Sequence, residues 1–133
     1  MTLEQIEGRV WEEPRVSSSL ISTCHRLRKK ALVTFEPEDF RVLIGQQMSL
    51  ELLVPKAIDL VVKEPMIEAQ FYPGDLLCVL LEVKGEYWGR HEELRLRLEK
   101  CLTQAAEEMS KNSYGKIVEK CVAESAGVFR AGA

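Results

Sequence analysis

The sequence predicts a single all-α domain of six or seven helices spanning residues 1–133. Apolar residues recur at spacings of three and four along most of the chain. No stretch alternates apolar and polar residues for long enough to indicate a strand. The hydrophobic fraction of 46% and charged fraction of 29% are those of an ordinary globular protein. A chain of this length can bury about two-thirds of its unfolded surface, so it needs no disulfides or metal to build a core.

The first helix is predicted to begin after Thr2. Gln5 lies three residues later, which is the spacing of a capping box, and Gly8 suits the helix end. Trp11 then anchors the following segment on the core, and Pro14 marks a break.

Residues 17–19 are three serines that can cap a second helix. Residues 24–30 follow with four basic side chains and no acidic one. Basic residues in a last turn complement the negative end of the helix dipole, and a binding patch is the alternative interpretation. The predicted apolar face comprises Leu20, Ile21, Cys24 and Leu27.

The third and fourth helices are delimited by proline, glycine and serine. Pro37 suits a first helical position and Gly45 a helix end. Ser49 is the expected cap of the next helix, Pro55 should kink or split it, and Pro65 should end it. The expected buried residues are Phe40, Leu43 and Ile44, then Leu50, Leu53, Val54, Ala57, Ile58, Val61 and Val62.

Residues 71–81 (FYPGDLLCVLL) contain the best-defined helix start. Pro73 and Gly74 predict a turn, and Asp75 is the predicted cap of the helix that follows. Two aromatic residues before the turn are expected to pack on the core, with the helix buried on one side. The aromatic residues are Phe71 and Tyr72, and the predicted apolar stripe comprises Leu76, Val79, Leu80 and Val83.

Three further elements are predicted beyond Gly85, which should end that helix. Residues 86–89 form a short helical turn with two aromatic side chains, and His91 begins a long amphipathic helix. A last helix runs from Ile117 to near Gly127, and residues 128–133 are expected to fray. The ion pairs expected on the long helix are Glu93–Arg97 and Arg95–Glu99.

No catalytic or metal-binding motif is recognisable, so the sequence predicts neither an enzyme nor a cofactor. The four cysteines are widely spaced and fall on or beside apolar faces, which indicates core thiols rather than a zinc site or disulfides. Cys24 and His25 are neighbours, but adjacent residues on a helix project about 100° apart and cannot form a dyad directly. A thiol enzyme would need a reactive Cys24 and a distant histidine. The cysteines are Cys24, Cys78, Cys101 and Cys121.

The charge distribution argues against a nucleic-acid partner. The net charge is −3, and residues 59–86 hold six acids against two bases. A helix-turn-helix would place Glu36, Glu38 and Asp39 against phosphates, with repulsion of like charges.

The composition predicts a cytoplasmic protein. No apolar run reaches the ~18 residues of a membrane span, and the first residues lack the basic and apolar regions of a signal peptide.

Three sequence blocks together resemble the immunity proteins of bacterial contact-dependent growth inhibition (CDI) systems. These blocks are CHRLRKK at residues 24–30, DFRVLIGQQMSLELLVPKAI at 39–58, and FYPGDLLCVLL at 71–81 followed by EYW. The resemblance spans roughly residues 1–105 and does not extend to the segment 110–133.

The resemblance implies an antitoxin without enzymatic activity that binds the C-terminal toxin domain of a cell-surface effector, often a nuclease. Acidic immunity surfaces suit basic nuclease clefts, so the acidic segment 59–86 is the expected binding region. The candidate contacts are Glu64, Glu68, Glu82 and Glu86, with Tyr87 and Trp88 as anchors. One alternative is that these acids only solvate the surface and that Trp88 is a core residue. Another is that the protein is a helical interaction or regulatory domain without a toxin partner.

Overall fold

The computed structural model describes residues 1–11 and 18–132, and this part of the chain is all-α, as predicted. It contains eight α-helices and one short 3-10 helix, so two short helices bring the count just above the expected six or seven. Pro14 and Ser17 lie outside the described residues. The helices are α1 (Leu3–Glu7), α2 (Ser19–Lys29), a 3-10 turn (Leu32–Thr34), α3 (Pro37–Gly45), α4 (Leu50–Lys63), α5 (Asp75–Leu81), α6 (Gly85–Arg90), α7 (Glu92–Lys111) and α8 (Lys116–Ala131).

Helix α5 lies at the centre of the fold. It packs against α3, α4 and α8, while α4 also packs against α7. The sequence predicted burial on one side only, but this helix is buried on almost all sides because three helices surround it. Its fully or nearly fully buried side chains are Leu76, Leu77, Cys78, Leu80 and Leu81.

Several helix starts follow the predicted capping chemistry. The backbone N–H of Gln5 donates to Thr2 Oγ1 at 3.2 Å, and Thr2 N–H donates to Gln5 Oε1 at 2.9 Å. Ser18 caps α2 by accepting from Ile21 N–H at 3.1 Å. These bonds satisfy N–H groups that have no partner inside the helix, so the local sequence alone determines where both helices begin.

Helix α4 corrects two expectations. It runs unbroken past Pro55, so the predicted split is wrong. Pro55 removes one backbone hydrogen bond, but five fully buried side chains hold this helix in the core. Ser49 occupies the N-cap position with φ of 52°, and its hydroxyl lies 3.5 Å from Arg28 Nη1 instead of capping the helix.

Helix α2 is rotated relative to the predicted face. Leu20 and Ile21 are 45% and 46% exposed, whereas His25 and Arg28 are buried along with the predicted Cys24 and Leu27. Arg28 forms an ion pair with Glu7, donates to the backbone oxygen of Arg9 at 3.1 Å and lies over the Trp11 ring. This buried guanidinium therefore joins α2 to α1 and is not a surface charge.

One predicted ion pair on α7 is formed and one is not. Arg95 contacts Glu99 at 3.3 Å. Arg97 pairs with Asp59 at 2.7 Å rather than with Glu93. Packing of α4 against α7 brings Asp59 within reach, and local spacing could not indicate this.

The C-terminal segment corrects the expectation of a frayed tail. Helix α8 continues through Gly127 to Ala131, and Phe129 is 2% exposed. The Phe129 ring meets Trp88 edge to face, with 5.6 Å between ring centroids. A glycine inside a helix costs about 1 kcal/mol, whereas burying a phenylalanine contributes about 1.5–3 kcal/mol, so the helix persists.

Gly85 has a role that the sequence did not reveal. A Cβ at this position would lie 2.5 Å from the backbone oxygen of Gly132, closer than atoms can approach. The glycine therefore permits the end of α8 to pack against the start of α6.

No helix in the described residues combines the length and apolar character needed to cross a membrane.

Candidate interaction surface

The four predicted acidic contacts all have exposed side chains. Glu64 follows α4, Glu68 lies in the loop before α5, Glu82 follows α5 and Glu86 lies in α6. None of the four has an ion-pair partner among residues 1–11 and 18–132. Their charges are therefore free to act on a partner, unlike that of Asp59, which pairs with Arg97 at 2.7 Å.

Two of these acids, Glu64 and Glu82, lie at separate positions along α8 rather than in one cluster. Glu82 accepts a hydrogen bond from Ser125 Oγ at 3.1 Å, beyond the middle of α8. Glu64 lies near Tyr114, which comes just before α8. The pKa of the Tyr114 hydroxyl is raised by burial, by its hydrogen bond to Glu108 and by the charge of Glu64. The start of α8 and Ser125 are about 14 Å apart along the helix axis. The acids could therefore contact a wide partner surface.

Within the part of the chain that the structure describes, no group of side chains is suited to hold a metal ion.

Tyr87 and Trp88 lie in the core, each only 1% exposed. Trp88 Nε1 donates to the backbone oxygen of Val83 at 3.1 Å, and the two rings meet edge to face at 5.2 Å. Burial raises the pKa of Tyr87 to about 12. Both side chains are therefore core residues in this structure, which for Trp88 is the alternative interpretation given above, and neither ring can reach a partner without leaving the core.

Asp75 does not cap α5, contrary to prediction. Gly74, with φ of 89°, occupies the N-cap position, and Asp75 is the first helical residue. Its buried carboxylate instead accepts from three backbone N–H groups of the preceding loop, at distances of 2.7, 3.0 and 2.9 Å. The donors are Ala69, Gln70 and Phe71. The carboxylate thus determines the shape of the loop that carries Glu68.

Phe71 is the most unexpected residue of this region. It was predicted to pack on the core, but 67% of its surface is exposed. The guanidinium of Arg41 lies 4.5 Å from its ring centroid, and Arg41 in turn pairs with Glu38. Sequence reasoning missed Arg41 altogether, since it lies thirty positions before Phe71 and no local pattern links them.

The cysteines lie where core thiols were expected. Cys24, Cys78 and Cys101 are buried, and Cys121 is partly buried. Burial raises the pKa of the Cys24, Cys78 and Cys101 thiols, which keeps them protonated and poorly nucleophilic. The structure therefore offers exposed surfaces for binding. It gives none of these three thiols the lowered pKa that a reactive nucleophile needs.

Comparison with known proteins identifies the family. A family model described as CDI immunity proteins matches residues 5–98, which are 94 of the 133 residues. No curated protein and no solved structure matches the chain. The match confirms the resemblance carried by the three sequence blocks, and it ends within α7, before α8. The chain belongs to the family of CDI immunity proteins.

Proposed function

We propose that this protein binds and neutralises the C-terminal toxin domain of a CDI effector, and that this toxin is a nuclease. The match of residues 5–98 to the family of CDI immunity proteins is the observation that carries the proposal. The net charge of −3 supports it, because a nuclease presents a basic cleft to its nucleic-acid substrate. Inhibition would take place in the cytoplasm and would require only that the complex block the toxin's active site or substrate entry.

The exposed acids of residues 59–86 are the proposed contacts with that cleft. Glu64, Glu68 and Glu86 are exposed and have no ion-pair partner in the described part of the chain. Glu82 is also exposed, and its single hydrogen bond to Ser125 leaves its charge available. Opposite charges would accelerate association and determine which toxin is recognised.

Co-expression with the toxin domain encoded in the adjacent reading frame tests the function. We expect restored growth and a stable complex in size-exclusion chromatography. A nucleic-acid degradation assay with purified toxin then tests whether the blocked activity is that of a nuclease. Neither growth rescue nor a complex would instead favour the alternative of a helical interaction domain without a toxin partner.

Charge reversal tests the acidic surface. Changing the four proposed acids to lysine together should weaken toxin binding about 100-fold or more and reduce its dependence on salt. The substitutions are Glu64→Lys, Glu68→Lys, Glu82→Lys and Glu86→Lys.

A matched control changes the same amount of charge elsewhere. Four exposed acids of α7 and α8 are replaced by lysine, and this variant should bind close to wild-type affinity. If the variant with the four proposed acids changed to lysine keeps its toxin affinity and salt dependence, the acidic surface is ruled out as the toxin contact. The control substitutions are Glu93→Lys, Glu107→Lys, Glu119→Lys and Glu124→Lys.

A further inference from the structure

We propose that the Phe71 loop, residues 68–71, and the groove beside it form the apolar centre of the toxin interface. This inference rests on the proposed function and identifies the contact that would slow release of the toxin. The groove would receive an apolar side chain of the toxin domain, with a neighbouring toxin carboxylate paired to Arg26.

The backbone of the Phe71 loop is fixed from within. The Asp75 carboxylate is 2% exposed and accepts three N–H groups from residues 69–71. A buried carboxylate is costly unless it is hydrogen-bonded, and here the loop supplies the bonds. The core therefore holds one loop conformation whose side chains at Glu68, Gln70 and Phe71 remain exposed.

The Phe71 ring is fixed from one side. Arg41 Nη2 donates to Glu38 Oε2 at 2.8 Å, and Arg41 Nε bonds the same carboxylate. This two-point pairing positions the guanidinium 4.5 Å from the Phe71 ring centroid. A ring that is held in place and still 67% exposed loses little conformational freedom on binding, so more of its burial energy would appear as affinity.

A groove of about 460 Å³ adjoins the ring between α2, α3 and the loop. Its lining combines apolar side chains, among them Leu20, Val42 and Phe71, with a larger number of polar and charged ones. The rotation of α2 is what exposes Leu20. The volume suffices for one large apolar side chain. Aromatic residues and arginine are enriched at interface centres, and Phe71 and Arg41 are residues of these two types.

The charges around the groove indicate the chemistry of its occupant. Arg26 lines the groove, is exposed, and has no ion pair within the described residues. Among the other charged lining residues, Glu38 pairs with Arg41 and Asp39 pairs with Lys30, so Arg26 is the charged side chain available to a partner carboxylate. Glu68 lies three residues before Phe71 and brings the proposed acidic contacts next to the groove. One loop would thus combine the apolar and electrostatic parts of the interface.

The experiment measures toxin-domain binding by the full chain carrying Phe71→Ala. We expect Kd to rise about 30- to 100-fold, mainly through faster dissociation, with no change in the thermal unfolding midpoint. Ile117→Ala is the matched control, because Ile117 is 81% exposed on α8, and its affinity should equal that of the wild type.

Two further variants test the contributions of loop shape and of charge to toxin binding, separately from the loss of the Phe71 ring. Asp75→Asn replaces an acceptor of three N–H groups by an amide, so it should weaken binding in the wild-type background and far less when combined with Phe71→Ala. If Asp75→Asn fails to fold, Arg26→Glu replaces it and should weaken binding about 10-fold through repulsion of the toxin carboxylate.

The outcomes distinguish the inference from the function on which it rests. If the wild-type chain does not bind the toxin domain, the proposed function fails and the inference fails with it. If the wild type binds and Phe71→Ala binds equally well, only the inference is overturned. Wild-type self-association in analytical ultracentrifugation that Phe71→Ala abolishes, with toxin affinity unchanged, would assign the groove to a second copy of this chain and would also overturn the inference.

Discussion

Two aromatic segments of this protein have opposite surroundings. Helix α6 contains Tyr87 and Trp88, both 1% exposed, whereas the Phe71 loop presents a ring that is 67% exposed. The sequence predicted that Phe71 packs inward and offered the α6 pair as anchors for a partner, with a core position for Trp88 as the alternative. Both segments are short, contain glutamate and lie beside α5, so local composition could not distinguish them.

Distant parts of the chain account for the difference. Helix α8 brings Phe129 against Trp88, and Gly132 approaches Gly85 at the start of α6. The backbone of the Phe71 loop is instead hydrogen-bonded to the buried carboxylate of Asp75. Arg41 covers one face of the Phe71 ring. An aromatic residue is thus buried or exposed according to which remote element packs over it, and four variants test this contrast.

Trp88→Ala should have the largest effect on stability. Removing a fully buried tryptophan costs about 3–5 kcal/mol of unfolding free energy, and urea denaturation followed by circular dichroism would measure this. Phe129→Ala provides the companion measurement. Since the two rings are in contact, their combined loss should be smaller than the sum of the single losses by about 1 kcal/mol. Independent effects would show that α8 does not cover α6.

Tyr87→Phe should have a smaller, pH-dependent effect. Burial raises the pKa of Tyr87 to about 12, whereas an unfolded tyrosine titrates near 10. Between these values the unfolded chain has lost the proton and the folded one retains it, so this residue's contribution to stability falls as pH rises through that window.

The variant should therefore lose stability less steeply than wild type from about pH 10 to 12. At neutral pH it should be at least as stable, because the buried Tyr87 hydroxyl has no hydrogen-bond partner among the described residues. Parallel urea titrations across this pH range provide the measurement, and identical slopes for the two proteins would contradict the burial of the phenol.

Phe71→Ala should have the smallest effect on folding. An exposed ring contributes little to the core, so the change in unfolding free energy should stay within about 0.5 kcal/mol. Urea denaturation alongside Trp88→Ala gives the direct contrast between the two segments. A loss comparable to that of Trp88→Ala would place Phe71 in the core and remove the reason to regard it as a contact residue.

The sequence by itself determined the helical class, most helix boundaries and the family. Helical spacing, the Thr2 capping box and Pro37 act within a few residues, so the chain encodes them locally. The FYPGDLLCVLL and IGQQ blocks likewise suffice to indicate an immunity protein, a relationship that the family match at residues 5–98 confirms.

The tertiary structure alone decided which side chains are available to a partner. Arg28 is buried by pairing with Glu7, and Asp75 faces the loop instead of its own helix. Phe129 extends α8 by packing on Trp88. Each outcome depends on a contact between residues far apart in sequence or on which side of a helix packs against the core. Periodicity reports that a helix has an apolar side, but only packing determines how that side is oriented and what covers it.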